Sequence, residues 1–207
     1  MTQDSERQPA DTPKFRLFIA ASLPGQIRRQ LTELRHHLQT GVQFTSCRPM
    51  WTNPDTMHLT LIFLGQRPTD QLTSIAAAAS EVTAAFQPLR LEIKNLGVFA
   101  HWRRPRVLWA GMRDRTRQIA ELHDRLTVAM QPFDYSSEHR DYHPHLTLAR
   151  FKSLKGTAQV QQIIASQKPF KFGPFDVHEL TLFKSELHPD GARHTALHHL
   201  PFGSTTP

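Results

Sequence analysis

His58-Leu59-Thr60-Leu61 and His145-Leu146-Thr147-Leu148 are the same four residues written twice, 87 positions apart, each inside a short apolar run. Runs of this length, bounded by turn signals and carrying aromatic or β-branched residues, read as buried strands, here Met57 to Leu64 and His145 to Phe151. Side chains alternate along a strand, so His58 and Thr60 share one face while Leu59 and Leu61 take the other, and the second copy repeats the arrangement. If the two strands lie side by side, one cleft holds two imidazoles and two hydroxyls backed by leucine. Strict alternation carried further puts Phe63 on the leucine side and Arg150 opposite His145.

Outward from these strands, the pattern alternates between periods of two and of three to four. Lys14 to Ser22 predicts a strand, and Ile27, Leu31, Leu34 and Leu38 predict a helix over 24–39. Thr40 to Asp55, with Cys47 and Trp51, reads as a loop, and Gly65 as the end of the first motif strand. A helix opened by a Thr/Asp cap is expected over 69–86. Strands follow at Leu89 to Phe99 and Arg106 to Met112, joined by the basic turn His101-Trp102-Arg103-Arg104-Pro105. A third helix over 116–130 carries Ile119, Leu122, Leu126 and Met130 on one face. After the second motif come a weaker helix at 157–166 and strands near 171–177, 179–185 and 193–200, the last two joined by a turn at His188-Pro189-Asp190-Gly191. Strands and helices in this order define an α+β fold with an internally duplicated pattern, not a doubly wound one. Residues 1–13 are expected to be a disordered tail and 14–207 a single domain, long enough for one substantial core or for two small lobes sharing one.

Composition narrows the setting. Of 207 residues, 39% are hydrophobic and 21% charged, as in ordinary globular proteins. No apolar run is long enough to span a membrane and the first residues lack an apolar signal core, so the reading is a soluble, cytoplasmic chain without membrane partners. One cysteine excludes an internal disulfide and fits a reducing compartment; Cys47 is read as a small loop residue, not a nucleophile. A formal net charge of +7 favours a polyanionic partner, nucleic acid first.

Taken alone, H-x-[ST] triplets carry little: with 13 histidines in the chain, roughly two are expected by chance. Their identical extension to HLTL, and their placement in two strands each followed by an expected helix, make them informative. Two imidazoles across a cleft can divide labour, one taking a proton from an attacking water or hydroxyl while the other gives one to the leaving oxygen. Hydroxyls two positions further on can hold the non-bridging oxygens of a phosphate. Neither step needs a metal. An H-x-H metal pair from His143 and His145 is the weaker reading, because Pro144 and the repeat already explain that spacing. Trp102, between basic residues, is the better candidate for stacking on a base, whereas Trp51, Trp109, Phe18 and Phe63 are read as core.

The strings His58-Leu59-Thr60-Leu61-Ile62-Phe63-Leu64-Gly65 and Pro144-His145-Leu146-Thr147-Leu148-Ala149-Arg150, with Val107-Leu108-Trp109-Ala110-Gly111 and Leu182-Phe183-Lys184-Ser185, resemble the 2H phosphoesterases over about residues 15–200. Within them they resemble the RNA 2′,3′-cyclic phosphodiesterases, also called 2′-5′ RNA ligases. The resemblance implies a bilobal α+β fold, with two pseudo-symmetric antiparallel sheets flanked by helices around a central cleft. It implies metal-independent hydrolysis of RNA 2′,3′-cyclic phosphate ends to 2′-phosphate ends, with no cofactor, by a monomer acting on RNA such as tRNA fragments, and a reversible 2′-5′ ligase activity. By that resemblance His58 is the general acid and His145 the base, Thr60 and Thr147 hold the phosphate, and Arg150 adds a cation. Two other readings stay open: a 2H phosphodiesterase for a 2′-5′ oligonucleotide or small cyclic nucleotide, and a non-catalytic RNA-binding module. One departure from the family is His194, where a tyrosine is common, so a substrate contact from the last hairpin is not carried over.

Overall fold

The computed structural model describes residues 12–40, 49–101, 104–136, 141–151, 172–189 and 191–203. Cys47, Trp102, Arg103, the helix expected over 157–166 and most of the expected tail lie outside the described residues. The strands are β1 (Lys14–Ser22), β2 (Pro49–Trp51), β3 (His58–Pro68), β4 (Leu89–His101), β5 (Arg104–Asp114), β6 (His145–Phe151), β7 (Phe175–Val177), β8 (Glu179–His188) and β9 (Gly191–Pro201). They form two antiparallel sheets, of order β3-β1-β8-β9 and β2-β6-β5-β4-β7. In each sheet a motif strand, β3 or β6, pairs with β1 or β5, which pairs in turn with β8 or β4; β3 is an edge strand, whereas β6 also carries the short β2 on its other side. The two motif strands pack against each other where the lobes meet. This is the bilobal α+β arrangement that the family resemblance implied.

Helices α1 (Gly25–Thr40), α2 (Leu72–Ala84) and α3 (Gln118–Met130) each bury one stripe. Ile27, Leu31, Leu34 and Leu38 line α1, and Ile119, Leu122, Leu126 and Met130 line α3, the residues the period of 3.6 picked out. α2 packs on α3 and on β8 and β9. Its expected Thr/Asp cap does not form: Thr69–Gln71 is a 3₁₀ turn without a side-chain cap. Before α3 the N-cap residue Arg117 makes no side-chain cap bond, and the Asp114 carboxylate, three residues earlier, accepts the N–H groups of Thr116 (2.8 Å) and Ile119 (2.9 Å). Leu59, Leu61, Leu146 and Leu148 are all at most 3% exposed and join one apolar core that runs through both lobes. The leucine halves of the two motifs therefore anchor the strands, which leaves the opposite face of each free for chemistry.

Two departures from the expected strands matter for the site. First, β3 does not stop at Gly65: the glycine takes φ +73° at an irregularity in the ladder and the strand continues to Pro68. Second, each motif strand carries a β-bulge just after its threonine. In β3 the register steps from Ala20↔Thr60 to Ile19↔Ile62, and in β6 from Trp109↔Thr147 to Leu108↔Ala149. The extra residue, Leu61 or Leu148, resets the alternation. Leu61 and Ile62 are consecutively buried, as are Leu148 and Ala149, and the next residues, Phe63 and Arg150, emerge on the histidine face. Phe63 is 47% exposed and does not pack in the core, contrary to strict alternation. Arg150 likewise lies on the same face as His145, not opposite it.

Candidate active site

Both motif histidines are held the same way. His58 Nδ1 lies 2.9 Å from the Thr56 carbonyl, and His145 Nδ1 lies 2.7 Å from the His143 carbonyl. A carbonyl only accepts, so each Nδ1 carries the proton and donates it. In the neutral ring Nε2 is then the basic nitrogen, and it is the one left for substrate. Thr56 and His143 each sit two residues before their histidine, so the same local backbone orients both rings.

Aromatic walls fix the imidazoles further. His58 packs on Phe18 (4.8 Å between centroids, 31°) and meets His194 edge-on (5.1 Å, 90°). Phe18, only 1% exposed, forms the floor under this cluster, with Phe183 stacked 5.1 Å away and Phe63 6.2 Å away. Across the cleft, His145 is edge-on to Phe99 (4.8 Å, 86°), which touches Trp109 (5.4 Å, 36°). Trp109 pairs directly opposite Thr147 in the ladder, so it belongs to the cleft face and not to the core as expected. Gly97 makes its seat: a Cβ there would fall inside the indole ring.

Burial controls the protonation of this cluster. Desolvation is the largest influence on His58 and pushes its pKa down to about 4, aided by the charges of His194 and His145 and opposed by the Thr56 hydrogen bond. His145 is also held below the ordinary imidazole value, chiefly by burial, with His143 and Arg150 contributing and the His143 carbonyl opposing. His194 is lowered by burial and then by Arg16. In the free protein at neutral pH both motif imidazoles are therefore neutral.

The sequence-predicted residues come together with one rearrangement. His58 and Thr60 on β3, and His145 and Thr147 on β6, occupy half-buried positions on the cleft faces. Arg150 joins them through the bulge, and its charge reaches His145. Residues that sequence reasoning did not assign to the site are Phe63, Trp109 and Phe183. His194 was noted only as a departure, and the HLTL period hid Phe63. Beside His58 opens a pocket of about 140 Å³ bordered by Ser22, Arg28, Asp55, Thr56, Phe183 and His194. Among the described residues no three His, Cys, Asp or Glu side chains converge as metal ligands, and no helix is long and apolar enough to cross a membrane.

Two antiparallel sheets that each lend one H-x-T strand to a shared cleft define the class of the 2H phosphoesterases. The chain belongs to the 2′-5′ RNA ligase superfamily, whose sequence profile matches residues 23–189. It is 30% identical to the Escherichia coli RNA 2′,3′-cyclic phosphodiesterase, over 88% of this chain and 93% of that one. It is 26% identical to the Methanothermobacter thermautotrophicus RNA 2′,3′-cyclic phosphodiesterase, over 88% of this chain and 96% of that one. Among solved structures, Escherichia coli LigT complexed with 3′-AMP is similar at a TM-score of 0.73 and 25% identity, covering 93% of this chain and 100% of that one. A Thermus thermophilus protein, TT0787, is similar at 0.74 and 27% identity, covering 92% of this chain and 99% of that one.

Proposed function

We propose that the chain is an RNA 2′,3′-cyclic phosphodiesterase that opens the cyclic phosphate at an RNA 3′ end by acid/base catalysis from His58 and His145. The observation that carries this reading is the matched pair of imidazoles, each with Nδ1 tied to a backbone carbonyl, which makes Nε2 the nitrogen available for proton transfer. The names of the relatives support the substrate class. His145 Nε2 takes a proton from water as its oxygen forms a bond to phosphorus. The bond from phosphorus to O3′ breaks, and His58 Nε2–H delivers a proton to that oxygen. The products are a 2′-phosphate and a free 3′-hydroxyl. The Thr60 and Thr147 hydroxyls donate to the non-bridging oxygens, where charge grows in the transition state, and Arg150 supplies a positive charge beside them. With a 5′-hydroxyl in place of water, the same steps in the same direction form a bond from O5′ to phosphorus, break the bond to O3′ and join ends through a 2′-5′ bond; the reverse steps cut that bond and re-form the cyclic phosphate.

His58 must be protonated to act as the acid, yet burial disfavours that in the free protein. The phosphate anion itself resolves the conflict, because a negative charge next to the ring restores its affinity for a proton. Protein prepared with and without added divalent metal, incubated with an oligonucleotide ending in a 2′,3′-cyclic phosphate and followed by phosphorus NMR, tests the reading. The expected product is a 2′-phosphate in both preparations. A 3′-phosphate would contradict the assignment of the bond broken, and turnover that depends on the metal would contradict the mechanism.

A further inference from the structure

Three residues before His145, the side chain of Tyr142 crosses from one lobe to the other. Its Oη donates to the carbonyl oxygen of Thr60 at 3.0 Å. Thr60 lies on β3, the edge strand of its sheet, so the outward backbone groups of that strand have no partner strand there. The tyrosine ring lies flat on His123 of α3, with centroids 4.1 Å apart and 7° between planes, and packs against the core. His123 is fixed in turn by the Asp124 carboxylate, 3.0 Å from Nδ1. Desolvation raises the phenol far above its ordinary value, so it stays a hydroxyl donor. Further along β3, Arg67 Nη2 donates to the Asp134 carbonyl at 3.2 Å and ties the same strand to the connector that leads into the second motif.

We propose that Tyr142 is a positioning residue for the two-histidine reaction: its hydroxyl, braced by His123, fixes the phosphate-holding Thr60 of one motif relative to His145 of the other. This rests on the function proposed above. The internal duplication makes such a brace necessary. Each motif is held rigidly within its own sheet, but the acid comes from one sheet and the base from the other, so only contacts across the junction set their separation. Misplacement of reacting groups by about 1 Å can cost on the order of a hundredfold in rate. The hydroxyl of Tyr142 meets the Thr60 carbonyl and not its side chain, so its influence passes through the Thr60 backbone.

Tyr142→Phe removes the hydroxyl and keeps the stacked ring. With a cyclic-phosphate-ended oligonucleotide we expect kcat to fall roughly tenfold to a hundredfold, while KM moves by less than about threefold and the near-ultraviolet circular dichroism keeps its native form. The same substitution in a Thr60→Val background should reduce kcat by less than about twofold further, because the hydroxyl it serves is gone; independent effects would multiply. An unchanged kcat in Tyr142→Phe, or full multiplication in the double variant, would overturn the inference while leaving the proposed function standing. If Tyr142→Phe does not fold, His123→Phe, which keeps the flat ring under the tyrosine, is expected to retain native kcat, and His123→Ala to lower it; equal kcat in those two also overturns the inference. Absence of turnover by the wild-type protein would remove the proposed function and this inference together.

Discussion

At the scale of single residues, the site is a set of imidazoles kept neutral by burial. His58 is the extreme case, with a pKa near 4 against 6.5 for a free imidazole. The unfolded chain therefore binds a proton at this position more readily than the folded one. Folding stability should fall as the pH drops below 6.5, with the loss complete below about 4 and on the order of 3 kcal/mol from this residue. Urea unfolding of the wild type and of His58→Gln at pH 7 and pH 4.5 measures it: the wild type should lose more stability between the two than the variant does. Equal losses would contradict the account of His58 as a desolvated neutral ring. The same depression explains how one residue type can serve as acid and base. The free protein starts with both rings neutral, and in the proposed reaction the anionic substrate raises the affinity of His58 for a proton taken from solvent.

At the scale of strands, what could be read in advance depended on where the information lay. The motif strands, α1 and α3 were legible because their leucines recur at the period of the element that buries them. β2 was not: Pro49–Trp51 is three residues in a stretch full of turn signals, and it is a strand because β6 offers it an edge. The bulges after Thr60 and Thr147 were equally invisible, since the apolar pairs Leu61-Ile62 and Leu148-Ala149 look the same whether or not an extra residue is accommodated. Their consequence is functional: they turn Phe63 and Arg150 into the cleft. Trp109 was misread because an apolar side chain facing a cleft and one facing the core look identical in sequence. The glycine opposite it held the missing signal. Gly97→Ala should force the indole off its seat and disturb the Phe99 ring against His145. We expect a loss of about 1–3 kcal/mol in unfolding free energy, read by urea denaturation. A neutral substitution would mean the indole does not lie on the strand as described.

At the scale of the molecule, the duplicated halves are alike where chemistry needs a pair and different where recognition needs direction. The histidines, threonines, backbone carbonyl brackets and bulges correspond between β3 and β6. The residues the bulges release do not: one half presents Phe63, with the Arg16 guanidinium 4.7 Å above its ring, and the other presents Arg150. One half thus offers an aromatic face under a guanidinium and the other a guanidinium without that ring, an asymmetry that two identical halves would lack and that suits the proposed substrate, with a base at one end and a phosphate at the other. The most direct test is turnover of an oligonucleotide ending in a 2′,3′-cyclic phosphate by the wild type, His58→Ala, His145→Ala and the double variant, each shown to be folded. The account predicts rapid opening by the wild type, a loss of about a hundredfold to ten-thousandfold in each single variant, and a double variant little worse than either. Native turnover in either single variant would contradict it.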